Sequence, residues 1–258
     1  MSAATPGITA HLNDIDLHYE TRGRGEPLLL LHGMTGCSGD WAYAGRDELE
    51  KEYTLIVPDA RGHGRSTNPG GTMTHRQHAL DALALLDHLG LRRCKAIGMS
   101  MGGNTLLHAA TLQPDRIEAM VLVSATPYFP EQARALMRQV PVETQPEAEW
   151  RAMRERHPHG DEQILALWRA QRALADSHDD VCFTPPSLAR IKARTLLVQG
   201  DRDPLYPVEL TLEMYRAIPR AALWILPEAG HGPIFLDAAP AFTRTALAFL
   251  RGAAASRS

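Results

Sequence analysis

Residues 95–112, Lys-Ala-Ile-Gly-Met-Ser-Met-Gly-Gly-Asn-Thr-Leu-Leu-His-Ala-Ala-Thr-Leu, constrain the fold more than any other stretch of the chain. A short apolar run reads as a strand, a helical pattern follows it directly, and Ser100 stands at the bend between them. The pattern Gly98-Met99-Ser100-Met101-Gly102 leaves out side chains two residues either side of the serine, where strand and helix pack tightly. Such a bend lifts the hydroxyl into a cleft. It also aims the free N–H groups at the start of the helix toward it, which suits developing negative charge. Alone, the five residues fit a glycine-rich turn with a solvated serine equally well, so the rest of the chain has to decide.

The flanking sequence alternates strand and helix. Ile8 to Thr21 alternates about Asn13-Asp14, with Ile15, Leu17 and Tyr19 on one face, and predicts an antiparallel edge hairpin. Pro27 to Leu31 is a continuous apolar run, as in a strand covered on both faces, and it ends in His32-Gly33-Met34-Thr35-Gly36. Asp47 to Lys51 predicts the end of a short helix, and Tyr53 to Val57 another buried strand leading to a glycine-broken loop, Asp59 to Ser66. Apolar residues at helical spacing from His75 to Leu89 predict a helix that stops at Gly90 and presents His75, His78 and His88 on its surface. A further strand is expected at Met120 to Val123.

Beyond it the rhythm breaks: residues 126–190 interleave prolines with charged, amphipathic helical pieces. It resumes with a strand at Thr195 to Gln199, a helix at Val208 to Ile218, a strand at Ala222 to Leu226 and a closing helix at Pro240 to Leu250. Gly252 to Ser258 reads as disordered. The expected architecture is α/β: a mostly parallel, doubly wound sheet of about eight strands with helices on both faces. Residues 1–125 and 191–258 form its core, and 126–190 are a helical cap inserted after strand 6. Ligands of such sheets bind at the carboxyl ends of the strands, where the informative loops all open.

Charge narrows the partner. Lys+Arg 27 against Asp+Glu 30, net -3, offers no basic stripe for nucleic acid, so a small molecule is the expected ligand. The start of the chain lacks a basic patch followed by an apolar run, and Leu28 to Leu31 is far too short to span a bilayer. Three widely spaced cysteines, Cys37, Cys94 and Cys182, make neither a disulfide framework nor a zinc pattern. A cytoplasmic protein with reduced thiols and no membrane association is expected, with a homo-oligomeric state left open.

Five stretches, in order, resemble the α/β-hydrolase fold family across nearly the whole chain. His32 to Gly36 resembles its oxyanion loop, Asp59 to Ser66 its D-x-R-G-x-G-x-S turn, and Gly98 to Gly102 its elbow. Gly200-Asp201-Arg202-Asp203-Pro204 resembles the acid loop, and Gly230-His231-Gly232-Pro233 the histidine loop. The resemblance implies a catalytic triad of Ser100, Asp203 and His231, with Asp201 as rival acid, and an oxyanion hole made by the backbone N–H groups of Met34 and Met101. His32 and His63 fall to the scaffold, as does Cys37, which lies outside the elbow. No cofactor and no metal are implied.

Serine rather than aspartate at the elbow argues against epoxide and haloalkane chemistry. What remains is acyl chemistry, foremost on a small, fairly apolar carboxylic ester. Cleavage of carbon–carbon bonds in ring-cleavage products, thioesterase or lactonase action, and a ligand receptor that keeps the fold are the alternatives. Tyr128, Phe129, Met137, Trp150 and Trp168 are the candidates to line a substrate pocket under the cap, or to pack the cap onto the core. Arg134, Arg138, Arg151, Arg154 and Arg156, mixed with glutamates, predict a solvated helical face.

Overall fold

The computed structural model describes residues 7–252. Eight strands form one sheet: β1 (Ile8–Leu12), β2 (Ile15–Gly23), β3 (Glu26–Leu31), β4 (Tyr53–Pro58), β5 (Cys94–Met99), β6 (Ile117–Val123), β7 (Arg194–Gly200) and β8 (Ala221–Leu226). Their spatial order is β1-β2-β4-β3-β5-β6-β7-β8. β1 and β2 run antiparallel, as do β2 and β4, and every other pair is parallel. The β1–β2 turn holds Asn13 and Asp14 at φ 47° and 65°, left-handed values that these two residue types tolerate.

The described helices are α1 (Arg46–Leu49), α2 (His75–His88), α3 (Met101–Leu112), α4 (Glu131–Arg138), α5 (Glu147–Arg156), α6 (Asp161–Ala173), α7 (Pro185–Leu188), α8 (Val208–Ala217) and α9 (Ala239–Arg251). The leucine run of β3 is explained by the two faces it serves. Leu29 and Leu31 pack with Leu85, Leu106 and Met214 of α2, α3 and α8, while Leu28 and Leu30 pack with Leu49 and Phe242 on the opposite side. From β3 the chain crosses to β4 on one side, and from β4 it returns past β3 to β5 on the other. That reversal opens a crevice at the carboxyl ends of β3 and β5, which is where sheets of this kind bind ligands.

Between β6 and β7 the chain leaves the sheet. α4 to α6 build two small apolar clusters of their own, one around Phe129, Ala133 and Met137, the other around Met153, Ile164, Leu167 and Trp168. α7 returns to the sheet side and packs against α3 and α8, with Leu188 in the main core.

The structure corrects several expectations. His75 and His78 are buried, because residue Asp180 and its neighbours cover the first turn of α2, and of the three histidines expected on that surface only His88 is exposed. Arg134 is likewise buried and donates to the carbonyls of Phe129 (2.9 Å) and Ala175 (2.6 Å), tying α4 to the turn after α6, whereas Arg138, Arg151, Arg154 and Arg156 are exposed. Gly252 is the ordered C-cap of α9, at φ 75°, and the remainder of the expected disordered tail lies outside the described residues, as do residues 1–6. Among the described residues no helix is long and apolar enough to cross a membrane.

Candidate active site

β5 runs straight into α3, and Ser100 takes up the turn between them at φ 51°, ψ −111°. A non-glycine residue in this region is strained, and the cost is met by the packing around it. Its N–H donates to Val123 O on β6 (2.8 Å), and its carbonyl accepts from Asn104 N (2.9 Å). A Cβ at Gly98 would sit 2.4 Å from Gly102 O, and one at Gly102 would sit 2.1 Å from Leu31 O. Strand, helix and the neighbouring strand thus approach too closely for any larger residue at either position.

The loops after β7 and β8 bring two further groups to the serine. His231 Nε2 lies 2.9 Å from Ser100 Oγ, and His231 Nδ1 lies 2.8 Å from Asp203 Oδ2. Asp203 is buried and held from both sides. Its Oδ1 accepts from Leu205 N (2.8 Å) and Tyr206 N (3.1 Å), and its Oδ2 also accepts from Gln199 Nε2 (2.8 Å). Burial alone would raise this carboxyl's pKa, but the hydrogen bond and charge of His231 and the two backbone donors outweigh it, so the net shift is downward. Asp201 is exposed and contributes its backbone N–H to Leu226 O, away from the histidine. Ser124, at the end of β6, accepts from Gly232 N at 3.3 Å and so supports the histidine loop.

The loop after β3 is set by His32. Its Nδ1 is 2.8 Å from Gly33 O and its Nε2 accepts from Ala60 N at 3.0 Å, a pairing that joins the loops after β3 and β4. His63 is wholly buried, its Nδ1 on Arg61 O (3.0 Å), and burial drives its pKa well down. Burial, with the nearby Asp40 and Asp59 charges, pushes the Cys37 thiol up to about 11, which disfavours its thiolate. Met34 and Met101 flank Ser100 in the cleft wall, and Met101 opens α3, so its N–H has no partner inside that helix.

The cleft above Ser100 has a volume of about 240 Å³ and is walled by the loop after β3, the start of α2 and the cap. Of the five pocket candidates only Met137 lines it. Tyr128 is exposed and turns its hydroxyl to Glu213 (3.4 Å); Phe129 is buried against Tyr206 and His75; Trp150 and Trp168 stack edge to face on each other, 4.6 Å between centroids. Aromatic rings in the cap pack the cap, because large apolar faces find partners there before they find the cleft. The cleft's apolar wall comes instead from Leu136, Met137, Val140, Leu174 and Leu205. Its unforeseen polar side chains are His75, Gln171 and Tyr206.

Also unforeseen is the seam between cap and core. His157, just past α5, accepts from Gly64 N (2.9 Å) through Nδ1 and reaches Thr35 O (3.0 Å) with Nε2. Gln163 donates to both Gly62 O (3.1 Å) and Gly64 O (2.9 Å), and His159 Nε2 lies 3.0 Å from Arg65 O. Among the described residues no group of three or more His, Cys, Asp or Glu has metal-holding geometry.

Comparison with known proteins places this geometry in context. A family model described as alpha/beta hydrolase fold matches residues 26–148, and one described as TAP-like protein matches 180–257. A 2-hydroxy-6-oxo-6-phenylhexa-2,4-dienoate hydrolase of Comamonas testosteroni is 28% identical, the alignment covering 93% of each chain. A Pseudomonas savastanoi protein named "Putative carbamate hydrolase RutD" is 31% identical over 87% of this chain and 93% of its own. Among solved structures, the enol-lactonase from Burkholderia xenovorans superposes with a TM-score of 0.75 at 26% identity, covering 95% of this chain and 100% of that one.

Proposed function

The chain belongs to the α/β-hydrolase fold family, and on that premise we propose that it is a serine hydrolase cleaving a small, fairly apolar carboxylic ester through an acyl-enzyme. The observation that carries this reading is the unbroken relay from Ser100 Oγ to His231 Nε2 (2.9 Å) and from His231 Nδ1 to Asp203 Oδ2 (2.8 Å). Ser100 Oγ attacks the ester carbonyl carbon as its proton passes to His231 Nε2. The carbonyl oxygen, now an oxyanion, takes hydrogen bonds from the N–H groups of Met34 and Met101, each such donor contributing about 3 kcal/mol to the transition state. The tetrahedral intermediate collapses, the C–O bond to the alcohol breaks, and the alkoxide leaves with the proton held by His231. Water then repeats the sequence on the acyl-enzyme and frees the acid.

Asp203 stays ionised throughout. Its task is to hold the Nδ1–H tautomer and to stabilise the imidazolium, and its lowered pKa keeps it charged over the working range. The apolar wall of Leu136, Met137 and Val140 supports an acyl or alcohol chain without charge. An organofluorophosphonate is expected to attach covalently to Ser100, seen by peptide mass, and short-chain esters to turn over repeatedly; folded protein that takes up no label sinks the reading.

Carbon–carbon bond hydrolysis is a second reading, supported by the Comamonas testosteroni relative that matches along nearly its whole length. Adding 2-hydroxy-6-oxo-6-phenylhexa-2,4-dienoate and following the loss of its absorbance separates the two. Faster turnover of that compound than of any ester in the panel would favour the second.

A further inference from the structure

The cleft beside Ser100 contains a second histidine–carboxylate pair that the acyl-transfer steps do not use. His75, the first residue of α2, lines the cleft although it is only 3% exposed. Its Nδ1 lies 2.7 Å from Asp180 Oδ2, and the same carboxylate accepts from the backbone N–H groups of His75 (2.7 Å) and Arg76 (3.1 Å). Asp180 is thus fixed by three donors at the mouth of a helix. Burial works to raise its pKa, but the His75 ring and these N–H groups bring it down to about 2. An ionised acceptor at Nδ1 requires the proton there, which leaves the lone pair of a neutral ring at Nε2. Among the described residues Nε2 makes no hydrogen bond and, unlike both ring nitrogens of His78, is not sealed from solvent, so it opens on the cleft that His75 lines.

The neighbours set the ring's orientation. Phe129 packs on it at 5.8 Å and His78 at 6.4 Å, and burial lowers the pKa of His78 to about 3, so that it adds no positive charge. His108, whose pKa burial also lowers, donates from Nε2 to the Asp180 carbonyl (2.7 Å) and backs the loop that carries the carboxylate. The cleft that His75 lines is otherwise walled mainly by apolar side chains, Leu136, Met137, Val140, Leu174 and Leu205 among them, with Gln171 and Tyr206 as further polar groups. An apolar chain filling the cleft would displace water from His75 Nε2 and leave a buried acceptor unpaired.

We propose that His75, oriented by Asp180, is a specificity-determining residue that accepts a hydrogen bond from a hydroxyl group on the substrate, so that the natural substrate is an otherwise apolar hydroxy-acyl compound. This deepens the serine-hydrolase reading and rests on it for the identity of the reacting end. Sites built to pair a substrate hydroxyl discriminate against analogues lacking it far more strongly than apolar pockets discriminate by one methylene.

The test separates binding from turnover. Ser100→Ala protein is titrated by NMR with ethyl esters of straight-chain C4 to C8 acids, each with and without one hydroxyl whose position is varied. At least one hydroxylated ester should bind about ten- to a hundredfold more tightly than its plain counterpart. That ratio should fall to about threefold or less in Ser100→Ala/His75→Leu and in Ser100→Ala/Asp180→Asn, the second variant keeping the acceptor at the helix mouth. Equal binding of every pair, a preference that survives both second substitutions, or tighter binding of an ester carrying a carboxylate in place of the hydroxyl would overturn the proposal. Failure of the serine-hydrolase reading looks different: the wild-type protein would bind the hydroxylated ester with the same preference and leave it uncleaved.

Discussion

At the scale of single residues, two aspartates two positions apart have opposite fates. Asp203 has all its acceptor capacity committed to His231, Gln199 and two backbone donors, while Asp201 faces solvent. Asparagine at 203 could turn its amide toward the ring and stabilise the wrong tautomer, so Asp203→Asn should lower kcat by about 10⁴, whereas Asp201→Asn should stay within about threefold. Steady-state kinetics on one short ester decides between them. The three residues of the proposed triad could be picked out in the sequence because each sits in a loop whose glycines and proline are demanded by close backbone approach, and those residues leave a trace there. His75 and Asp180 leave none. They are 105 positions apart, and each looks locally like a surface residue; only the folding of the cap over α2 makes them a buried pair.

Among elements, the helical excursion between β6 and β7 shows in the sequence as an interruption of the strand–helix rhythm, but its contacts do not. Aromatic residues stood out as pocket candidates because of their size, yet Trp150 and Trp168 satisfy one another, and the seam is made by His157 and Gln163, polar residues in no motif. His157 is 1% exposed and makes two hydrogen bonds to core backbone; His159 is exposed and makes one. His157→Ala should therefore destabilise the protein by about 1–3 kcal/mol, because it strands the Gly64 N–H and the Thr35 carbonyl at once. His159→Ala should cost under about 0.5 kcal/mol. Urea midpoints at constant m-value measure both, and equal shifts for the two variants would contradict the seam as described.

For the whole molecule, buried imidazoles set the acid limit. His63, His78 and His157 form part of a packed series with His32, ring centroids 5.2 to 6.2 Å apart. Burial holds His157 at about 4 and His78 at about 3, and drives His63 well below its ordinary value of 6.5. In the unfolded chain all three take up protons near pH 6.5, while in the folded chain they do not. The unfolded state therefore binds more protons between pH 6.5 and 4, and stability rises with pH across that window. Each such histidine contributes up to about 1.4 kcal/mol per pH unit. Stability should accordingly start to fall as pH drops below about 6.5, ahead of the lower window in which Asp180 and Asp203, both with lowered pKa, lose their own contributions. Chemical denaturation at half-unit pH steps would expose a flat profile from 7 to 4 if this is wrong. The sheet and its site were readable because periodicity and glycine are local signals; this proton balance was not, since it depends on which histidines the fold removes from water. The bond from His157 to the Thr35 carbonyl carries one more consequence. The roof of the cleft and the loop that presents Met34 are fastened to each other, so a foreign cap grafted at residues 126–190 to change substrate would arrive without that fastening. Such a chimera would inherit an intact Ser100–His231–Asp203 relay and a slackened loop beside it, and the graft would have to carry an imidazole at the position of His157 to restore the fastening as well.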